Sequence, residues 1–529
     1  MKEKCFLMKS MRVLSTGIVI LTGTTVFLFS CNNGEKNSSH KHVPDSDIEK
    51  GKTLAATYCR SCHMLPDPSL LDAKDWEEGV LPEMGPRLGI FEHGLKKYPS
   101  SKHDLELEKN FYPSKPLLST EDWQHIIDYY SSVSPDSLPS QQRTHPVTLN
   151  DKLFNVETPV FRTAVPTTSF VKIDTAVSPH RLWTTDMISR NIFRFDDHLK
   201  LSDTFKSISP VVDIEWQKQD LITCNIGVMN PNNGKYGTVR KLRLGSRGKI
   251  KEDTSLKFEN LARPVQVTPV DLNNDGNIDY LINEFGNLTG SLSWMENKGS
   301  KFERHVLRAF PGAIKSYIRD VNKDGLPDIW VLFSQGEEGV FLFTNKGNGE
   351  FTEKQVLRFE PIFGSSSFEL VDFNKDGVED ILYTCGDNAD FSPAFKPYHG
   401  VYIFINDGHN SFQQKYFFPM YGCFKALARD FDGDGDLDIA AISFFADYIR
   451  HPEESVIYLE NKGNFDFLSY TIPNTSAGRW LTMDAGDIDG DGKMDLVIGN
   501  FSIAPASIKP SVDWKKGPLF IVLKNIMKK

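Results

Sequence analysis

The stretch YCRSCHMLP, residues 58–66, sets Cys59, Cys62 and His63 in a C-x-x-C-H arrangement. Two thiols a helical turn apart, with an imidazole beside them, suit a small set of chemistries. A zinc site would need two more soft ligands at close spacing, and Cys224, Cys385 and Cys423 stand alone. A dithiol redox pair of the thioredoxin kind needs a βαβ context, which the flanking residues lack. The remaining reading is covalent haem c, with thioethers from Cys59 and Cys62 and iron ligation by His63. The chain has seven cysteines and thirteen histidines in 529 residues, so chance assembly of the motif is improbable.

The iron then needs a sixth ligand or an open position. In DWEEGVLPEMGPRLG, residues 75–89, Met84 lies between Pro82 and Pro86. A thioether raises the reduction potential, and a proline-framed loop would hold it in place. His93 and His103 are alternatives that would lower the potential, whereas Met64 is too close to His63 to reach the opposite haem face. The second ring nitrogen of His63 is expected on the carbonyl of Pro66 or Pro68. Two helices should position this turn. DIEKGKTLAATYC has Asp47 as N-cap and Ile48, Gly51, Leu54, Ala55 and Tyr58 at helical spacing. STEDWQHIIDYYSSV, capped by Ser119 or Thr120, puts Trp123, Ile126, Ile127 and Tyr130 on one face. Residues 47–140 resemble a small all-α cytochrome c domain; without C-x-x-C-H the same residues read as a plain helical hairpin.

Haem c is attached outside the cytoplasm, and the N-terminus reads accordingly. Residues 1–31 run from basic residues through an apolar stretch to LFSC, which resembles a bacterial lipobox with Cys31 as the lipidated residue. An uncleaved anchor helix is the alternative. Residues 32–46 are polar and read as a flexible tether. The expectation is a lipid-anchored protein of a Gram-negative-type cell envelope, periplasmic or surface-facing. A net charge of −10 without a basic block gives no support to a nucleic-acid partner.

A second set of chemistry-bearing residues recurs five times as D-x-[DN]-x-D-G-x-x-D. The copies supply Asp271, Asn273, Asp275, Asn277 and Asp279; Asp320, Asn322, Asp324, Leu326 and Asp328; and Asp372, Asn374, Asp376, Val378 and Asp380. The last two supply Asp430, Asp432, Asp434, Asp436 and Asp438, and Asp487, Asp489, Asp491, Lys493 and Asp495. Alternate side chains in a tight loop converge on one point, glycine at position 6 permits the turn, and position 7 offers its carbonyl. Hard oxygen ligands in that number suit Ca²⁺. These are not EF-hands, because position 12 is apolar or aromatic (Ile282, Val331, Tyr383, Ala441, Ile498) and each loop leads into strand-like residues. Five divalent ions would neutralise most of the excess negative charge.

Each loop is followed by an apolar strand, a variable segment, a strand ending in a turn such as MENKGSKF or TNKGNGEF, and a fourth strand. Four strands per repeat describe a propeller blade, and the pattern resembles FG-GAP/VCBS repeats over residues 161–529, after a linker at 141–160. Degenerate copies around Asp174 and Asp213 bring the count to seven blades. The late strand PLFIVLKN and the early VETPVFRTA are expected to pair and close the ring. The fold class is therefore multidomain: an all-α cytochrome c-like module, then an all-β, seven-bladed propeller with five Ca²⁺ loops.

Loops on a rigid scaffold carry binding. Arg263, Arg479, Lys315 and Lys425, at fixed offsets before the loops, are candidates for the channel mouth and an anionic polysaccharide or a partner's carboxylates. The functional expectation is a monohaem electron-transfer protein with a redox partner in the envelope and a propeller as binding platform. The alternatives are a quinoprotein-like dehydrogenase feeding its own haem and a polysaccharide-lyase-type propeller. Against the first, no Trp-containing quinoprotein repeat is present.

Overall fold

The computed structural model describes residues 43–217, 220–244, 250–388, 394–504 and 512–527. Cys31, with the expected signal peptide and most of the tether, lies outside the described residues. No helix among them is long and apolar enough to cross a membrane.

The first helix, Asp45–Tyr58, starts inside the expected tether. Asp47 is therefore not its N-cap; Pro44 precedes it, and Asp45 and Asp47 sit in the first turn against the positive end of the helix dipole. The last helix of the module, Thr120–Val133, is capped by Ser119, whose side chain accepts the Asp122 N–H at 3.0 Å. Its buried face is the expected one, with Trp123, Ile126, Ile127 and Tyr130. The two helices touch at Gly51, where a Cβ would lie 1.9 Å from the His125 carbonyl oxygen. Between them, residues 73–88 form a nearly unbroken helical run that changes from α to π and to 3-10 geometry.

Strands between residues 154 and 525 form seven antiparallel blades of four strands each. Their inner strands are Thr168–Asp174, Val211–Gln217, Pro264–Val270, Ala313–Arg319, Ser365–Val371, Cys423–Arg429 and Trp480–Gly486. The second strands of blades 3 to 7, such as Asp328–Phe333 and Asp380–Cys385, are buried at every residue because a neighbouring blade covers each face. The expected ring closure is present: Phe520–Asn525 pairs with Phe154–Glu157, joining Asn525 to Phe154 and Val522 to Glu157. The closing strand thus starts before the quoted VETPVFRTA. Residues 141–160 are correspondingly more than a linker, since Thr148–Leu149 also adds a fifth, parallel strand to blade 6.

An inner strand leaves one edge of N–H groups facing the channel, and an unpaired edge must be satisfied. Side chains of the preceding blade do this. Asp213 accepts from Val267 N (3.0 Å), Gln266 from Ser316 N (2.7 Å), Glu369 from Ala428 N (2.9 Å) and Asp484 from Ile173 N (2.8 Å). Polar residues on the inner strands therefore tie blade to blade.

The acidic loops join inner to second strands and occupy one rim. The helical module sits on the other rim, among the second-to-third connections and the blade-to-blade connectors. Tyr398 donates to the Leu70 carbonyl at 3.0 Å, and Asn233 to Asp104 at 2.8 Å. The chain leaving the module is pinned by Gln141, which donates to the His399 carbonyl at 2.8 Å, and by Arg143, paired bidentately with Glu454 at 2.7 Å.

Candidate functional site

Cys59 opens a 3-10 turn, Cys59–Ser61, that continues the first helix, and Cys62 and His63 follow directly. Cys59 is half-buried, Cys62 is exposed, and neither is in a disulfide. His63 Nδ1 donates to the Met64 carbonyl at 2.6 Å, which leaves Nε2 for another partner. The accepting carbonyl is not that of Pro66 or Pro68. Tyr130 Oη occupies the first at 3.2 Å; Trp76 Nε1 and Ser134 Oγ occupy the second at 2.9 and 2.7 Å. Burial holds His63 below its ordinary pKa, favouring the neutral ring that a metal requires. Burial likewise pushes the Cys59 thiol up to about 11.

Met84 ends a short helix, Leu81–Met84, rather than sitting in a loop; Pro82 is accommodated in that helix's first turn, where proline loses no hydrogen bond. It packs, partly buried, on the same hydrophobic core as Tyr58, Cys59 and Leu65. Three residues further on, Arg87 lies within electrostatic reach of Cys62, which puts the Met84 run beside the C-x-x-C-H turn. Of the alternative ligands, His93 has its Nε2 2.7 Å from Gln124 Oε1 and a buried Nδ1 without a hydrogen-bond partner. His103 lies in an exposed loop. The residue set fits a haem: two unpaired thiols, a ring nitrogen freed by the bond its partner makes, and a soft sulfur on the same core.

The five acidic loops share one internal network. Both oxygens of the position-1 carboxylate accept loop N–H groups, as in Asp320, which takes Asp324 N at 3.0 Å and Gly325 N at 2.9 Å. Position 4 is left-handed even where it is not glycine: Asn274, Lys323 and Lys375 have φ of 58°, 59° and 60°. In the fourth loop, oxygens of Asp430, Asp432 and Asp438 lie within 4.8 Å of one another; in the fifth, those of Asp487, Asp489 and Asp495 do the same. The first three carry Asn at position 3, whose Nδ2 leans on position 5, for example Asn322 on Asp324 at 2.8 Å.

The position-9 aspartates, Asp279, Asp328, Asp380, Asp438 and Asp495, are almost fully buried. Each accepts the N–H of position 2 and that of an asparagine ending the third strand: Asn297, Asn345, Asn406, Asn461 or Asn525, at 2.7–2.9 Å. These asparagines were not singled out from sequence; the signal was the Asn shared by the turns after the third strands. Two of them also reach across blades, Asn345 to the Leu272 carbonyl at 2.8 Å and Asn525 to that of Phe431 at 2.6 Å. The fifth loop is met by two cations, Lys493 at 2.7 Å from Asp491 and Lys524 at 2.6 Å from Asp489, and the fourth by one, Lys375 of the third loop at 2.7 Å from Asp436.

The suggested basic ring does not form as expected. Arg263 is buried, donates to the Gly286 and Met229 carbonyls and lies over Phe285. Arg479 is 1% exposed, donates to Phe444 and Ile503 carbonyls and stacks 3.5 Å from the Phe444 ring. Both guanidiniums brace connecting loops and are not available to a ligand at the mouth. Lys315 and Lys425 do lie on inner strands, and burial, with Lys315 next, lowers Lys425 to about 8.

The FG-GAP-like repeat family matches residues 320–383 and 430–498. The propeller carries FG-GAP repeats. Each matched stretch begins at the first aspartate of one acidic loop and ends in the strand after the next, so the repeat straddles two blades. A curated relative, the "T-cell immunomodulatory protein homolog" of Plasmodium falciparum (isolate 3D7), is 26% identical over 328 residues, covering 46% of this chain and 44% of that protein. The chain thus matches less than half of that relative's length. Among solved structures, Saccharomyces cerevisiae Sqt1 is 8% identical, covering 72% of this chain and 100% of that one, with TM-score 0.42. Virginiamycin B lyase from Staphylococcus aureus is 14% identical, covering 63% and 92%, with TM-score 0.39.

Proposed function

We propose that this protein is a monohaem c-type electron carrier whose FG-GAP propeller serves as a rigid binding platform. The observation that carries this reading is the turn at Cys59–His63, where both thiols are unpaired and His63 keeps Nε2 open on a core shared with Met84. Cys59 and Cys62 would hold the porphyrin, His63 and Met84 the iron; when bound, the haem supplies a one-electron couple. The chain's own part is to fix the imidazole through the Met64 carbonyl, present a soft sulfur, and bury one side of the site in apolar side chains.

The acidic loops are read as Ca²⁺ sites that brace the platform, because each gathers carboxylates that neighbouring lysines offset only in part. Export and anchoring through Cys31 follow from the same reading, since haem c is attached outside the cytoplasm. The partners are a redox protein of the envelope and, on the propeller, an anionic polymer or protein. The decisive experiment is maturation in a host with haem c assembly, followed by denaturation and a pyridine haemochrome spectrum, with Cys59→Ser as control. Retention of one haem in the wild type and its loss in the variant is the expected result; a colourless polypeptide of unmodified mass refutes it.

A further inference from the structure

In each of blades 4 to 7, one residue of the second strand and its partner on the third turn toward the preceding blade, and both are apolar or aromatic. Val331 and Phe341 do this in blade 4, Tyr383 and Tyr402 in blade 5, and Ile498 and Ile521 in blade 7, each pair within the core shared with that neighbour. In blade 2 the register puts Thr223 and Arg240 at this place. A guanidinium taken out of water must be paired. Arg240 is paired by Glu252 and, at 3.1 Å, by Glu259, both on the outer strand of its own blade. Its Nε–H is nevertheless buried without a hydrogen-bond partner. Here the apolar contact between blades 1 and 2, made by Trp183, Phe205 and Leu221, gives way to a groove of about 480 Å³. Small-molecule sites span about 300–1,000 Å³.

We propose that this groove is a binding site for a neutral saccharide. Its lining mixes carbon surface from Phe205, Ile208 and Leu242 with polar groups from Thr204, Arg240 and Glu252. A sugar ring matches both: its C–H face packs on the apolar side chains, and its hydroxyls are donors and acceptors at once. One hydroxyl donates to the Glu252 carboxylate while its neighbour accepts the orphaned Arg240 Nε–H. That bond supplies the partner which the fold itself leaves out, and an unpaired buried donor is costly. The occupant need bring no charge. Of the two cations in the lining, Arg240 already faces two carboxylates and Lys206 donates to the Ser189 carbonyl. The site depends on neither the haem reading nor the acidic loops, since blades 1 and 2 carry no such loop.

Saturation-transfer NMR and titration calorimetry on the intact protein test this. The probes are maltose, cellobiose, lactose, mannobiose and xylobiose, with digalacturonate as the charged comparator. The variants are Arg240→Met, which removes the orphaned donor, and Thr204→Trp, which fills the groove from an exposed position. The expected result is saturable binding of at least one neutral disaccharide, weakened tenfold or more in Arg240→Met and lost in Thr204→Trp. Should Arg240→Met fail to fold, Thr204→Trp still decides, because it changes no buried residue. Three results overturn the proposal: no neutral disaccharide binds, binding is unchanged in Thr204→Trp, or digalacturonate alone binds.

Discussion

Glu338 lies in the connection before the third strand of blade 4, Gly339–Asn345, and is 3% exposed. Its two oxygens accept Ser365 N at 2.8 Å and Gly364 N at 3.3 Å, yet burial outweighs these bonds and pushes the carboxyl up to about 7 from an ordinary value of 4.5. Between those values the native protein keeps a proton that the unfolded chain has released. Stability therefore falls as pH rises from about 4.5 to about 7 and levels off above. A gap of two to three pH units corresponds to ~3 kcal/mol. Glu338→Gln removes the titration while retaining an acceptor for Ser365 N. In urea unfolding at pH 5 and pH 8 with fixed ion composition, the wild type should lose up to ~3 kcal/mol more than the variant between the two. Asp75, pushed up to about 6 chiefly by burial, contributes in the same direction in both proteins and cancels in the comparison. Equal pH dependence of the two proteins would refute the reasoning, as would a variant that loses more than the wild type.

Other outcomes follow from particular contacts. Gly51→Ala gains roughly 1 kcal/mol of helix propensity, but its Cβ would meet the His125 carbonyl at 1.9 Å; net destabilisation by about 1–3 kcal/mol in thermal unfolding is expected. Asn345→Ala severs side-chain bonds to Leu272, Pro327 and Gly347, whereas Asn297→Ala severs those to Ile278 and Gly299. The first should cost about 1 kcal/mol more in a paired denaturation series. Calorimetric titration with Ca²⁺ should find the fourth loop tighter than the fifth. Replacing Lys493 and Lys524 by Met should tighten the fifth by roughly tenfold, or ~1.4 kcal/mol, and no change would show that the lysines do not compete with the ion.

What could be read from the sequence was what is local. An acidic loop is nine consecutive residues whose side chains bond to their own backbone, so its pattern survives in one dimension, and five copies at nearly regular intervals, with the two degenerate ones around Asp174 and Asp213, give the blade count. The capped helix at 120–133 was legible for the same reason: a serine, an N–H three residues on, and an apolar face at helical spacing. Local reading failed where a distant residue arrived first. The Pro66 and Pro68 carbonyls lie close to His63 in sequence, but Tyr130, Trp76 and Ser134 already occupy them, leaving the Met64 carbonyl to the imidazole. Arg263 and Arg479 stand at a regular offset that suggests a ring, yet carbonyls from connecting loops and the rings of Phe285 and Phe444 draw them inward. Lys323 and Lys375 show the converse. Neither residue type advertises a left-handed backbone, but the loop bonds made by Asp320 and Asp372 force it on them. The seam between module and propeller is the extreme case: Gln141 and Arg143 bind groups more than 250 residues away, and no periodicity marks them. A repeat protein therefore discloses its scaffold in sequence, whereas the surface on which a foreign module is seated is written only in the fold.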